Sequence, residues 1–234
     1  TEVCDIAALA GIAHDHGALL TVDNTFCSPA LQRPLALGAD LVMHAATKYL
    51  DGQGRVMAGA LAGPKKLIVD VFAPTLRTVG MTLAPFNAWV VLKGMETLNL
   101  RMKAQSEATL SVARWLETHP AVSRVHYPSL ASHPQHALAR RQMTGFGGVI
   151  AIRVQGGYRG AEHVMARLKL FAQAVSLGGV ESLAVHAAAM WAGSLSEDAM
   201  RGSGIEPDLI RLSIGLEHVD DLIADLEQAL TPER

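Results

Sequence analysis

The sequence predicts an α/β chain, with a parallel-rich sheet layered with helices at its start and a smaller α/β unit after it. Three observations carry that reading. Over the first third, short apolar runs ending in polar residues alternate with segments of helical spacing. Helical spacing then holds from residue 85 to 118, after which strand-like and helix-like segments alternate again. Half of the 234 residues are hydrophobic and only 18% are charged, which is enough apolar matter for a sizeable core.

Each element follows from local pattern. Residues 4–16 read as a helix, with Ile6, Leu9, Ala10 and Ala13 on one face and Gly17 as its stop. ALLTVD (18–23) is a short buried strand with a carboxylate at its tip, and NTFCSP is a loop. Pro34 opens a single helical turn, and ADLVMH (39–44) is a second buried strand. VMAGALAG (56–63) reads as a third strand of small residues. Helix-to-strand loops this short imply parallel pairing.

From Pro85 to Thr118 one long helix is expected, anchored by Trp89, Leu92, Met95, Leu98, Met102, Leu110 and Trp115, with Pro120 beyond it. A helix of that length bridges domains, so residues 1–90 form one unit and 91–234 the other. Further strands are expected at 122–127, 147–154, 169–175 and 208–215, and helices at 134–142, 159–168 and 218–230. In the last helix Val219, Leu222, Ile223, Leu226 and Leu230 make one stripe. Asp220 and Asp221 stand in its first turn, where the helix dipole favours them.

Composition excludes several classes. No run of about 18 apolar residues exists to span a membrane. A net charge of −2 gives no electrostatic case for nucleic acid or an anionic membrane surface. Two cysteines, Cys4 and Cys27, make no disulfide framework and fit a reducing cytoplasm. His133 and His136 flank a loop without the further ligands a metal needs, so no metal is expected. The chain opens without a signal segment or initiator Met, and Thr1 leads almost directly into a helix, as though a domain were already under way.

Asp23 ends one buried strand and Lys48 follows the next, and in parallel sheets ligands bind at such strand ends. An Asp and a Lys in one crevice form a salt bridge or a catalytic pair. In the second case, a lysine amine with a carboxylate nearby suits a pyridoxal phosphate (PLP) site: the amine joins the aldehyde and the carboxylate keeps the pyridine nitrogen protonated.

The neighbouring residues favour the second case. TVDNTF (21–26), GADLVMHAATKYLDGQGRV (38–56), VSLGGVESL (175–183) and IRLSIGLEHVDDLIADLEQAL (210–230) resemble, in order and spacing, the cysteine/methionine-metabolism family of PLP enzymes. That family holds cystathionine synthases and lyases and the homoserine-ester sulfhydrylases. DGQGR after the lysine is most similar to its O-succinylhomoserine sulfhydrylase branch. The resemblance implies an aspartate-aminotransferase-like fold of type I, with residues 1–90 as the C-terminal part of an incomplete large domain and 91–234 as the small domain. It implies that Lys48 is the Schiff-base lysine and acid/base, that Asp23 partners the pyridine nitrogen, and that Thr25 lies against the ring. Thr47 is then a phosphate ligand, Ser176 stands near the lysine amine, and Arg211 grips the substrate α-carboxylate, for which its planar fork is suited.

The implied reaction is γ-replacement, joining sulfide to O-succinylhomoserine to give homocysteine and succinate. Cystathionine γ-synthase and γ-lyase share the same residues, and a non-catalytic remnant with weak PLP binding is the reading from another class. Departures from the family pattern bear on that third reading. Ala45 stands where a phosphate-binding Ser is usual. HAAAMWA (186–192) replaces a segment with proline and histidine, leaving Ala187, Trp191 and Ala192. The phosphate turn and the ring-stacking tyrosine of the family have no counterpart in this sequence. The expected partners are a small amino-acid substrate and further copies of the chain in a homo-oligomer, since exposed apolar sheet edges invite association.

Overall fold

A computed structural model describes residues 1–231. Helix α1 (Ile6–Asp15) starts where Asp5 accepts a hydrogen bond from the Ala8 N–H, and it buries Ile6 and Ala10. Strands β1 (Thr21–Asp23) and β2 (Leu41–Ala45) pair in parallel, with Asp23 opposite Met43. The short helix α2 (Ser28–Leu31) and a tight turn at Pro34–Leu37 lie between them. Strand β3 (Gly59–Ala62) completes a three-stranded sheet but runs antiparallel to β2. Parallel pairing was expected throughout this sheet. It fails at β3 because residues 46–58 fold as successive turns, and no helix is present there to return the chain to the starting end.

Residues 65–79 are helical, with α3 (Lys65–Leu67) and α4 (Ala73–Val79) joined by a wider turn at Ile68–Phe72. The long helix expected over 85–118 is two helices, α5 (Pro85–Met95) and α6 (Leu98–Thr118). The break has a local cause. The Gly94 carbonyl accepts hydrogen bonds from the Thr97 N–H, the Thr97 hydroxyl and the Arg101 guanidinium, so the chain turns there.

Strand β4 (Val122–His126) and helix α7 (His136–Gln142) follow, then β5 (Val149–Val154) and α8 (Gly157–Arg167). Next come β6 (Ala172–Gln173), β7 (Leu183–His186), α9 (Ala187–Trp191) and α10 (Glu197–Gly202). Strand β8 (Leu209–Ser213) and helix α11 (Val219–Leu230) end the described chain. The second sheet has the order β4-β5-β8-β7-β6, and only its β6–β7 pair is parallel. Strand β7 and helices α9 and α10 have no counterpart among the expected elements. LAVH is too short to carry a period, and the alanines after it fit strand or helix alike.

Two hydrophobic clusters result. Ile150, Ile152, Ile210 and Leu212 face Val112, Leu116, Val164, Leu222 and Leu226, so α6, α8 and α11 cover one face of the five-stranded sheet. Tyr49, Leu50, Val91, Leu98 and Met102 form the other cluster, beside the loop that follows β2. Helix α6 contributes to both. Because strand residues alternate, Leu209 and Arg211 point away from the helices, together with Val149 and Ala151. Among the described residues no helix is long and apolar enough to cross a membrane.

Candidate active site

The tip of β1 organises one side of the site. Asp23 Oδ1 accepts from the Thr25 N–H at 2.9 Å and from the Thr25 hydroxyl at 2.6 Å, and Thr25 Oγ1 accepts from the Ala45 N–H at 2.8 Å. Asp23 is therefore tied through Thr25 to the end of β2, while its Oδ2 has no hydrogen-bond partner among the described residues. A carboxylate with one oxygen fixed and the other open suits a cationic N–H. Asn24 lies under this corner and exchanges side-chain hydrogen bonds with Gln32, its Nδ2 also reaching the Ser28 and Gln32 carbonyls.

Ala45 opens the turn that carries Thr47 and Lys48. The Thr47 hydroxyl accepts from the Ala58 N–H at 2.9 Å, and its own proton has only a 3.3 Å approach to the Ala58 carbonyl. That proton is available to an anion. The Lys48 ammonium donates to Ser176 Oγ at 3.1 Å, across 128 residues of sequence. Ser176 in turn holds Arg211, whose Nη2 donates to the Ser176 carbonyl at 2.8 Å and the Val175 carbonyl at 2.7 Å. Arg211 Nε is buried and unpartnered, and no carboxylate pairs with this arginine among the described residues. Burial pulls its guanidinium below the ordinary arginine value. A partly buried guanidinium with a donor unused is a place for a carboxylate.

Five of the six expected residues thus fall into two groups, while the Thr47 side chain bonds to Ala58. Lys48, Ser176 and Arg211 meet directly, and Asp23 and Thr25 meet at the end of β2. Asp23 and Arg211 both line one cavity of about 680 Å³, shared with Phe26, Cys27, Phe146 and Ala187. Burial pushes the Cys27 thiol up to about 12, so the sulfur there is an uncharged wall. Of the departures, Ala45 lies at the end of β2 and presents a methyl where a hydroxyl would stand. Trp191 is 41% exposed, at the end of helix α9, whose first residue Ala187 lines the cavity.

Sequence reasoning missed the supports. Tyr49, directly after Lys48, is fully buried and accepts from the Gly148 N–H at 3.1 Å. Arg101 donates to the Tyr49 and Gly94 carbonyls, and Ser213 Oγ accepts from the Gly178 N–H. Only adjacency to Lys48 pointed to Tyr49, and Arg101 looked like any arginine on a helix.

Comparison with known proteins adds a separate line. Residues 1–231 match the family described as Cys/Met metabolism PLP-dependent enzyme. The O-succinylhomoserine sulfhydrylase of Pseudomonas aeruginosa is 50% identical over 229 residues, which cover 98% of this chain and 57% of that protein. The L-methionine gamma-lyase of Pseudomonas putida is 47% identical over 230 residues, covering 98% and 58%. The cystathionine gamma-synthase of Mycobacterium bovis is 45% identical over 229 residues, again 98% and 58%. The chain therefore spans 57–58% of the length of these relatives.

Proposed function

The chain belongs to the Cys/Met metabolism PLP-dependent enzyme family, and from that premise we propose that it serves a γ-replacement: sulfide displaces succinate from O-succinylhomoserine to give homocysteine. The C–O bond at Cγ breaks and a C–S bond forms in its place. We assign the chain to fold type I, with 1–90 as part of the large domain and 91–234 as the small domain. The cluster under the five-stranded sheet, drawn only from residues after 107, supports a separate second unit. Similarity to the Pseudomonas aeruginosa sulfhydrylase and the DGQGR segment after Lys48 favour this reaction within the family.

One observation carries the reading: the Lys48 amine is 3.1 Å from a serine that also anchors an arginine with no carboxylate partner among the described residues. PLP, when bound, supplies an electron sink for charge developing on the substrate carbon skeleton. The chain's own residues would do the rest. Asp23 would offer its open oxygen to the ring nitrogen, and Thr25 would hold that carboxylate at its angle. Thr47 would donate to the phosphate. Arg211 would bind the α-carboxylate through the donors that its two carbonyl contacts leave unused, fixing which carbon faces Lys48. The Lys48 amine would carry protons between adjacent carbons, a task for a flexible base beside a hydroxyl.

A homo-oligomer fits the surface, where Met57, Phe86, Leu92 and Leu100 are all more than half exposed; a cytoplasmic location is proposed with it from the two unpaired cysteines. Cystathionine γ-synthase or γ-lyase activity is the second reading, favoured by the 45% identity to the mycobacterial synthase. The experiment is a comparison of nucleophiles on the PLP-loaded protein with O-succinylhomoserine. Homocysteine formed with sulfide in clear preference to cystathionine formed with cysteine is the expected result. The reverse preference transfers the assignment to a cystathionine enzyme.

A further inference from the structure

The mechanism above does not use the buried Tyr49 phenol. Tyr49 follows Lys48 and is 1% exposed. Its hydroxyl accepts from the N–H of Gly148, just before β5, so a residue of the first sheet's loop is anchored in the second sheet. Its ring lies against Gly178, where an added Cβ would come within 3.0 Å of the ring and of the Tyr49 nitrogen. Gly178 also has φ of +78°, a conformation glycine adopts at little cost. At Gly148 an added Cβ would meet the phenol oxygen at 3.0 Å. The hollow the phenol fills exists because both positions lack side chains.

The other contacts of this loop lead to the site. The Gly178 N–H is tied to Ser213 Oγ at 3.1 Å, and two residues before Gly178 stands Ser176, the partner of the Lys48 amine. Arg211 lies two residues before Ser213 on β8, so the two share a face, and it grips the carbonyls of 175 and 176. On the main-chain side Arg101 donates to the Tyr49 carbonyl at 2.9 Å. Tyr49 therefore stands between the backbone of Lys48 and the loop that carries both its hydroxyl partner and the anchor of Arg211.

We propose that Tyr49 is a positioning residue. By pinning the Lys48 turn to Gly148 and filling the hollow under Gly178, it sets the reach of the Lys48 amine to Ser176 and hence to Arg211. The inference rests on the PLP reading, since that reach matters only where the Lys48 amine is the reacting group.

The test measures how fast Lys48 captures PLP. The chain is mixed with PLP, reduced with borohydride at timed intervals, and the label at Lys48 is compared by peptide mass spectrometry with that at the other five lysines. Tyr49→Phe keeps the ring and removes the acceptor. Its Lys48 rate is expected to fall about three- to tenfold, the scale of one hydrogen bond, with the other lysines unchanged and a cooperative melt retained. In a Ser176→Ala background the same substitution should change the rate by less than about twofold, because the contact it sets is gone. A purely structural role would give equal falls in both backgrounds, and that result overturns the proposal, as does an unchanged Lys48 rate in Tyr49→Phe. Should the Phe variant melt without cooperativity, Ser213→Ala unties the same loop without touching Tyr49 and is expected to show the same fall; an unchanged rate there overturns the proposal. If Lys48 in the unsubstituted chain captures PLP no faster than the other lysines, the PLP reading itself fails, and the positioning role falls with it.

Discussion

Thr25 shows how much one hydroxyl does at this site. It holds Asp23 from above and accepts the Ala45 N–H from the side, so the carboxylate and the end of β2 move together. Ala45 itself offers no side-chain donor. Ala45→Ser is expected to tighten PLP binding by about tenfold or more, since a hydrogen bond to a charged group contributes about 1.5–3 kcal/mol. A PLP titration of both chains measures this, and equal affinities would mean that the serine does not reach the phosphate. At this scale the sequence was informative where residue type is tied to chemistry. A strand ending in Asp, a lysine after the next strand and an arginine in an apolar strand are what point to the candidate site. Tyr49 and Arg101 carried no such mark, because their partners Gly148, Gly178 and Gly94 become neighbours only on folding.

Periodicity located the elements more reliably than it joined them. The α11 stripe was legible because five apolar residues at helical spacing leave one interpretation, and Leu222, Leu226 and Leu230 are all buried as that spacing requires. The break between α5 and α6 was not legible, since Gly94 and Thr97 fit a helix locally and the cause is Arg101 reaching back to the Gly94 carbonyl. The antiparallel β3 was hidden for a similar reason: strand patterns do not encode direction. Gly94 makes the junction tight, because a Cβ there would lie 2.3 Å from the Asp51 carbonyl oxygen and 2.5 Å from that of Leu50. Gly94→Ala is therefore expected to destabilise the fold by about 1–3 kcal/mol, the usual cost of overpacking, despite alanine's better helix propensity. Denaturant unfolding of the two chains decides it, and an unchanged or raised midpoint would show that α5 does not press on the Lys48 turn.

Over the whole molecule, His44 and His126 contribute to the response to acid. Burial lowers His44 from 6.5 against the opposing pull of Asp23, and burial followed by Arg124 takes His126 down to about 4. The unfolded chain binds protons near 6.5, where these folded side chains still refuse them. Stability is therefore fully present above 6.5 and falls as pH drops from there toward the depressed values. Melting temperatures measured from about pH 7 to pH 5 should decline, and His44→Gln should make the decline shallower. A melting temperature that rises on acidification would contradict the burial of these rings. Solvent reaches His126 in part, so its share is the smaller for its shift.

The central claim is that the folded chain presents one particular amine, Lys48, to PLP beside Asp23 and Arg211. The most direct measurement is the visible absorption spectrum after mixing with PLP, for the unsubstituted chain and for Lys48→Ala. A visible band of protein-bound PLP in the first and none in the second is the predicted result. A band of equal strength in Lys48→Ala, or no band in the unsubstituted chain, would contradict the account.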